Sequence, residues 1–201
     1  MSAIIAVCGK DFCTFVADLR LVSIDENGYI RFNNDNTEKI FKLNNQLVYG
    51  ATGIFNSNET FFTPLGFFED YTYLTVNPVC AAINEYMFSN LSMLKRNKAR
   101  TYLIGGKDNN GEFTLHAIKY DATTNTIINE DYTPSKDGIT FCLSLPSQAI
   151  LNEEKYKTMV QKSIIDSSTD LDLIRNTSSV IREIAKIDST VSEKSMAIVI
   201  R

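Results

Sequence analysis

The chain has 201 residues, 44% of them hydrophobic and 22% charged, which suits one globular domain with a single sizeable core. A net charge of −4 with no basic stripe excludes an electrostatic footprint for nucleic acid, and no apolar run approaches the ~18 residues of a membrane span. The N-terminus lacks the charged and apolar regions of a signal peptide, and Cys8, Cys13, Cys80 and Cys142 show no metal-ligand spacing, so free thiols, a reducing cytoplasm, and no metal or cofactor are expected.

Residues 3–8 and 12–19 are β-rich runs separated by Gly9-Lys10-Asp11, which reads as a turn. The polar stretch 20–38 carries Asn27-Gly28 and reads as a loop or short hairpin. Strands at 39–43 and 47–52 flank Asn44-Asn45, residues that tolerate left-handed turn conformations. The aromatic segment 55–70 reads as a short or irregular helix, its run FFTPLGFFEDY serving as core or subunit contact. Asn77-Pro78 has the signature of a helix start, and Ile83, Met87, Leu91 and Leu94 predict an amphipathic helix to about residue 96.

Strands follow at 101–105 and 113–120, joined through Asn109-Asn110-Gly111. This glycine-rich hairpin lacks the Lys-Ser/Thr ending of a phosphate loop. The single histidine, His116, alternates within a strand and reads as structural. Further strands are expected at 126–129 and 139–145, helices at 149–165 and 170–187, and a last strand at 195–200. The second of these helices shows an apolar stripe at Leu171, Ile174, Ile181 and Ile184. Alternating groups of strands and helices predict one α+β domain over 1–201, antiparallel sheets covered by helix layers.

Chemistry concentrates at the strand ends. With the first hairpin centred on Lys10, Ser2 lies opposite Asp18, since turn position sets register. With the second centred near Asn44-Asn45, Lys39 lies opposite residues 50–51, and that strand runs on to Gly53. If the hairpins are neighbours in one sheet, Ser2, Asp18, Lys39 and Gly53 meet at one rim. Such a set can transfer acyl groups without histidine. With Met1 removed, Ser2 carries its own base, an α-amine of ordinary pKa about 7.7–8.0. A neighbouring Lys39 ammonium pushes that value down, Asp18 orients Lys39, and the Gly53 N–H stabilises an oxyanion. Taken singly these residues are ordinary: small second residues are common, and a strand-end Asp or Lys is usually a surface charge.

The ordered set "SAIIAV", "FVADLR", "EKIFKL" and "GATG" resembles the proteasome β-subunit family of N-terminal nucleophile (Ntn) hydrolases, including the simpler bacterial-type proteasome-like peptidases. The resemblance extends nearly end to end. It implies a four-layer αββα sandwich of two antiparallel sheets flanked by helix pairs. It places Ser2 at the nucleophile position, usually threonine, with Asp18 and Lys39 as polar partners. Asp188 and Ser192 resemble the Asp and Ser that bond around the terminal amine, and Ser144 the serine of a Gly-Ser-Gly run. Leu21, Ala51 and Phe55 are the pocket residues by analogy, favouring uncharged side chains.

The implied partners are copies of the same chain in a ring that is often stacked, a peptide or unfolded protein as substrate, and an ATP-driven unfoldase that nothing in the chain encodes. There are departures. Serine lacks the methyl that restricts χ1 in threonine. Leu143 and Leu145 replace the glycines around Ser144, and Glu193-Lys194 replaces a glycine pair. Only Met1 precedes Ser2, so methionine removal must expose the amine. Three readings follow: an N-terminal serine peptidase, a catalytically silent subunit of a proteasome-like ring, and an N-terminal amidase acting on small molecules.

Overall fold

The computed structural model describes residues 2–24, 29–53, 55, 59–97, 100–135 and 138–201. Two antiparallel sheets face each other. The first runs β10 (Thr140–Ser144), β1 (Ile4–Gly9), β2 (Phe12–Asp18), β11 (Ser195–Ile200). The second runs β5 (Ile40–Asn44), β6 (Leu47–Gly53), β7 (Arg100–Lys107), β8 (Phe113–Asp121), β9 (Thr126–Tyr132). A separate ribbon pairs β3 (Leu21–Ile24) with β4 (Ile30–Asn34).

Helices cover both outer faces. Helices α4 (Glu153–Ile165) and α5 (Asp170–Ala185) lie on the first sheet. Helix α1 (Val76–Ser89), followed by α2 (Leu91–Asn97), lies on the second. The single-turn helix α3 (Ser147–Ile150) links β10 to α4. The result is the expected four-layer αββα sandwich.

The period-two rule of strands accounts for the layering. In β1, Ile4, Ala6 and Cys8 face the second sheet, while Ile5 and Val7 face α4 and α5. Covered on both faces, β1 is a continuous apolar run with every residue buried. The inter-sheet layer adds Phe15 and Ala17 of β2, Ile40 and Val48 of the second hairpin, and Leu103, Leu115 and Ala117 of β7 and β8. Each fully buried Val, Leu, Ile or Phe among them contributes about 1.5–3 kcal/mol. Gly105 belongs here for a steric reason: a Cβ on it would come within 2.6 Å of the Phe15 ring. On the far side of the second sheet, Phe41, Tyr49, Phe61 and Phe62 stack with α1. That makes the aromatic segment largely core, although Phe67 is exposed.

Several local expectations need correction. Among its described residues, the aromatic segment holds one 3₁₀ turn, Thr63–Leu65, and no longer helix. The helix expected to reach residue 96 begins at Val76 and breaks at Asn90, whose side chain donates to the Tyr86 carbonyl. Asn77 does not cap that helix; its side chain accepts from the Asn109 N–H and ties the helix start to the β7–β8 turn. The helix expected at 149–165 divides at Leu151-Asn152 into α3 and α4. The buried stripe of α5 is Leu173, Thr177, Val180, Ile181 and Ile184, with Leu171 72% exposed, so the predicted stripe was rotated at its N-terminal end. Asn27-Gly28 lies outside the described residues. Among the described residues, no helix is long and apolar enough to cross a membrane.

Candidate active site

The β1–β2 hairpin closes with a two-residue turn, Lys10-Asp11, because Gly9 ends β1 and pairs with Phe12. Register therefore runs one residue away from the sequence expectation: Ala3, not Ser2, lies opposite Asp18, and the Asp18 N–H donates to the Ala3 carbonyl at 3.1 Å. The Asp18 carboxylate turns back to the same place. Its Oδ1 accepts the Ala3 N–H at 2.8 Å, so it grips the peptide that leaves Ser2.

The other oxygen of Asp18 collects donors from across the molecule. Lys39 Nζ lies 2.7 Å away, the Arg20 N–H 2.9 Å, and the Ser192 N–H 3.3 Å. The second hairpin has the expected register, with Lys39 opposite Ala51 and the Ala51 N–H donating to the Lys39 carbonyl at 3.0 Å. The two hairpins are not neighbours in one sheet, however. They belong to opposite sheets, so the Lys39–Asp18 ion pair crosses the sandwich interior.

Both side chains are withdrawn from water, at 2% and 0% exposure. Desolvation dominates and lowers the Lys39 pKa below the ordinary lysine value, with the Asp18 carboxylate opposing it. Outside this pair, Arg20 grips Asp35 at 2.7 and 3.0 Å and the Ser189 carbonyl at 2.9 Å. The hydrogen bond from Arg20 is the main cause holding the Asp35 carboxyl below its usual range. Asp35 was not singled out from sequence, because it sits in a polar stretch with no pattern of its own.

Ser2 and Gly53 open on one cavity of about 380 Å³ between the sheets, shared with Thr52, Arg100, Ser144 and Leu145. Ser2 is 9% exposed, and its hydroxyl has no hydrogen-bond partner among the described residues. Gly53 has φ 124°, a left-handed conformation that glycine adopts without steric cost. Ser144 and Thr52 bridge the sheets through their hydroxyls at 2.7 Å.

Of the C-terminal residues, Ser192 joins the cluster through its backbone, while its Oγ accepts the Lys194 N–H at 3.0 Å. Asp188 is used locally: it accepts the Thr190 N–H at 2.9 Å and the Thr190 hydroxyl at 2.5 Å, and reaches the Gln148 N–H at 3.3 Å.

The bulky departures fall into two kinds. Glu193 and Lys194 project into solvent, and Leu143 packs under the helices, so none of them fills the site. Leu145 does line the cavity. Among the described residues that line it, Leu21, Ala51 and Phe55 are absent. Leu21 pairs with Asn34 in the ribbon. The Ala51 methyl is fully buried on the α1 side, a consequence of alternation along β6. Phe55 stacks against Phe61 with centroids 4.9 Å apart and lies beneath the Arg100 guanidinium at 4.4 Å. His116 faces Asp131 across the β8–β9 ladder at 2.5 Å and is not among the described lining residues of this cavity.

No family model matches the chain, and no curated protein matches it. Among solved structures, eukaryotic HslV from Trypanosoma brucei matches with a TM-score of 0.58, covering 99% of this chain and 99% of that one at 16% identity. At that identity the likeness is one of fold. The architecture is the HslV sandwich, the proteasome-type Ntn hydrolase fold that the sequence resembles.

Proposed function

We propose that this chain is a proteasome-type N-terminal serine peptidase acting on peptide bonds of unfolded chains. The observation that carries the reading is the bifurcated use of Asp18. One oxygen holds the backbone immediately after Ser2, and the other holds a buried lysine beside it. A buried ion pair adds little net stability compared with apolar packing, so one bonded to the backbone next to a cavity-lining serine favours a chemical role.

In this reading Met1 is removed and the Ser2 α-amine is free. The Ser2 hydroxyl attacks the substrate carbonyl carbon while its proton passes to the α-amine, giving a tetrahedral oxyanion and an ammonium. The Gly53 N–H receives the oxyanion. The ammonium returns its proton to the leaving amine as the C–N bond breaks, leaving an ester on Ser2. Water then attacks the ester, deprotonated by the same amine, and restores the hydroxyl. The Lys39 charge keeps the α-amine unprotonated at neutral pH, and Asp18 fixes both partners. Ser144, Asp188 and Ser192 act as positioning groups. Ser192 works through Asp18, Ser144 through the Thr52 hydroxyl, and Asp188 by shaping the turn that leads to Ser192.

A ring of identical subunits would confine such a site and restrict it to unfolded substrate, delivered by an ATP-driven unfoldase. The exposed Tyr29 and Phe32 of the β3–β4 ribbon are the apolar surface expected to be covered in such a ring.

Intact-mass spectrometry tests the proposal. The purified protein should lack Met1 and gain one equivalent of a peptide epoxyketone, an electrophile that captures a terminal hydroxyl and amine together. Ser2→Ala should take up none and lose turnover of generic peptides by roughly 10⁴-fold or more. A retained Met1, or unchanged turnover in Ser2→Ala, would leave only the ring-building reading.

A further inference from the structure

The strand that carries Gly53 has a partner with an unusual side chain. Arg100 opens β7 directly opposite Gly53, yet it is only 2% exposed. Its guanidinium is engaged on several sides. Nη1 and Nη2 donate to Glu59 at 2.8 and 3.1 Å, Nη1 meets the Tyr86 hydroxyl at 3.3 Å, and the Phe55 ring covers one face at 4.4 Å. Tyr86 also donates to Glu59, closing a triangle between β7, α1 and the chain beyond β6. With its charge committed to Glu59, Arg100 is poorly placed to serve as a receptor for a substrate carboxylate, although it lines the cavity shared by Ser2 and Gly53.

The contacts do something else. Gly53 sits at φ 124°, and glycine has the widest backbone freedom of any residue, so nothing intrinsic fixes the direction of its N–H. Arg100 holds the chain at two points just beyond it, Phe55 and Glu59. An arginine suits this work, because its planar fork binds a carboxylate at two nitrogens while its face stacks on an aromatic ring.

We propose that Arg100 is a positioning residue for the oxyanion side of the site: paired with Gly53 across the ladder and gripping Phe55 and Glu59, it anchors the end of β6 and thereby aims the Gly53 N–H. This rests on the peptidase reading above. It goes beyond that reading by adding an ion pair that touches neither the nucleophile nor its base.

Two measurements test it together: amide hydrogen exchange at Gly53, Phe55 and Glu59, and the rate of peptide cleavage per epoxyketone-titrated Ser2. Glu59→Gln, which keeps size and removes charge, and Arg100→Lys, which keeps charge and removes the fork, should both speed exchange at these three residues. Cleavage per titrated site should fall roughly 10- to 100-fold, in kcat rather than KM. A merely structural ion pair would lower the titratable fraction and leave the rate per site unchanged, which would overturn the proposal. Unchanged exchange with a slower rate would overturn it too, by pointing to a direct contact with substrate. If wild-type Ser2 takes up no epoxyketone, the peptidase reading fails and the aiming role with it. The exchange data would then still report whether Arg100 holds the segment.

Discussion

The two ends of the inter-sheet layer are built from opposite materials. Near the β1–β2 turn the sheets meet through Cys8, Cys13, Phe15 and Phe113, all buried. At the other end Asp18, which closes β2, meets Lys39, just ahead of β5, in an equally buried ion pair. Apolar residues evidently suffice to join these sheets, since one end does without charge. The ion pair at the other end therefore calls for a different explanation, and the proposed role of Ser2, whose following peptide Asp18 holds, offers one. Burial alone does not separate core from site; the kind of group that is buried does.

The largest expected effect breaks that comparison directly. Asp18→Asn strands the Lys39 ammonium away from water, which should cost about 3–5 kcal/mol of stability and roughly 10²- to 10⁴-fold in turnover. Adding Lys39→Met to Asp18→Asn should recover most of the stability in a denaturant titration while turnover stays low. Phe15→Ala, at the apolar end, should cost a similar 3–5 kcal/mol through the cavity it leaves, with turnover per folded molecule unchanged. Turnover that tracked stability in both variants would abolish the distinction.

A smaller effect concerns pH. Burial lowers the folded-state pKa of Lys39, so between that value and the unfolded value of about 10.4 the unfolded chain binds more protons at this residue. The contribution of Lys39 to stability thus rises with pH across that window and is lost as pH falls through the folded value. Lys39→Met should flatten this slope in urea titrations at successive pH values. In the wild type, loss of the ammonium should also end activity on the alkaline side below pH 10.4, the ordinary lysine value.

The smallest effect sharpens the border between the two materials. Thr52→Val removes the hydroxyl bridge to Ser144 and should cost about 1 kcal/mol, measured by thermal unfolding. Turnover should fall far less than for Asp18→Asn.

Legibility from sequence followed the range of the interactions. The register of the second hairpin was readable because Asn44, Asn45 and the flanking apolar runs lie within a dozen residues. The first hairpin was misread by one residue, because Gly9 looks like turn material yet belongs to the strand. Which sheet each hairpin joins was not readable at all. The first hairpin is placed by β10 and β11, more than a hundred residues away, and the second by β7, through pairings with no local signature. Arg100 stayed hidden for the same reason: its carboxylate partner lies 41 residues earlier, in a segment where nothing local marks Glu59 out from Glu69 and Asp70.

Asp18 is bonded on one side by Ala3 and on another by Ser192, 174 positions further along the chain. Translation delivers the first of these early and the second almost last. In a nascent polypeptide still tethered to the ribosome, the Ser2 hydroxyl would therefore emerge long before the carboxylate had acquired its full set of donors. On the peptidase reading, the Asp18 carboxylate is fully bonded only once synthesis has passed residue 192.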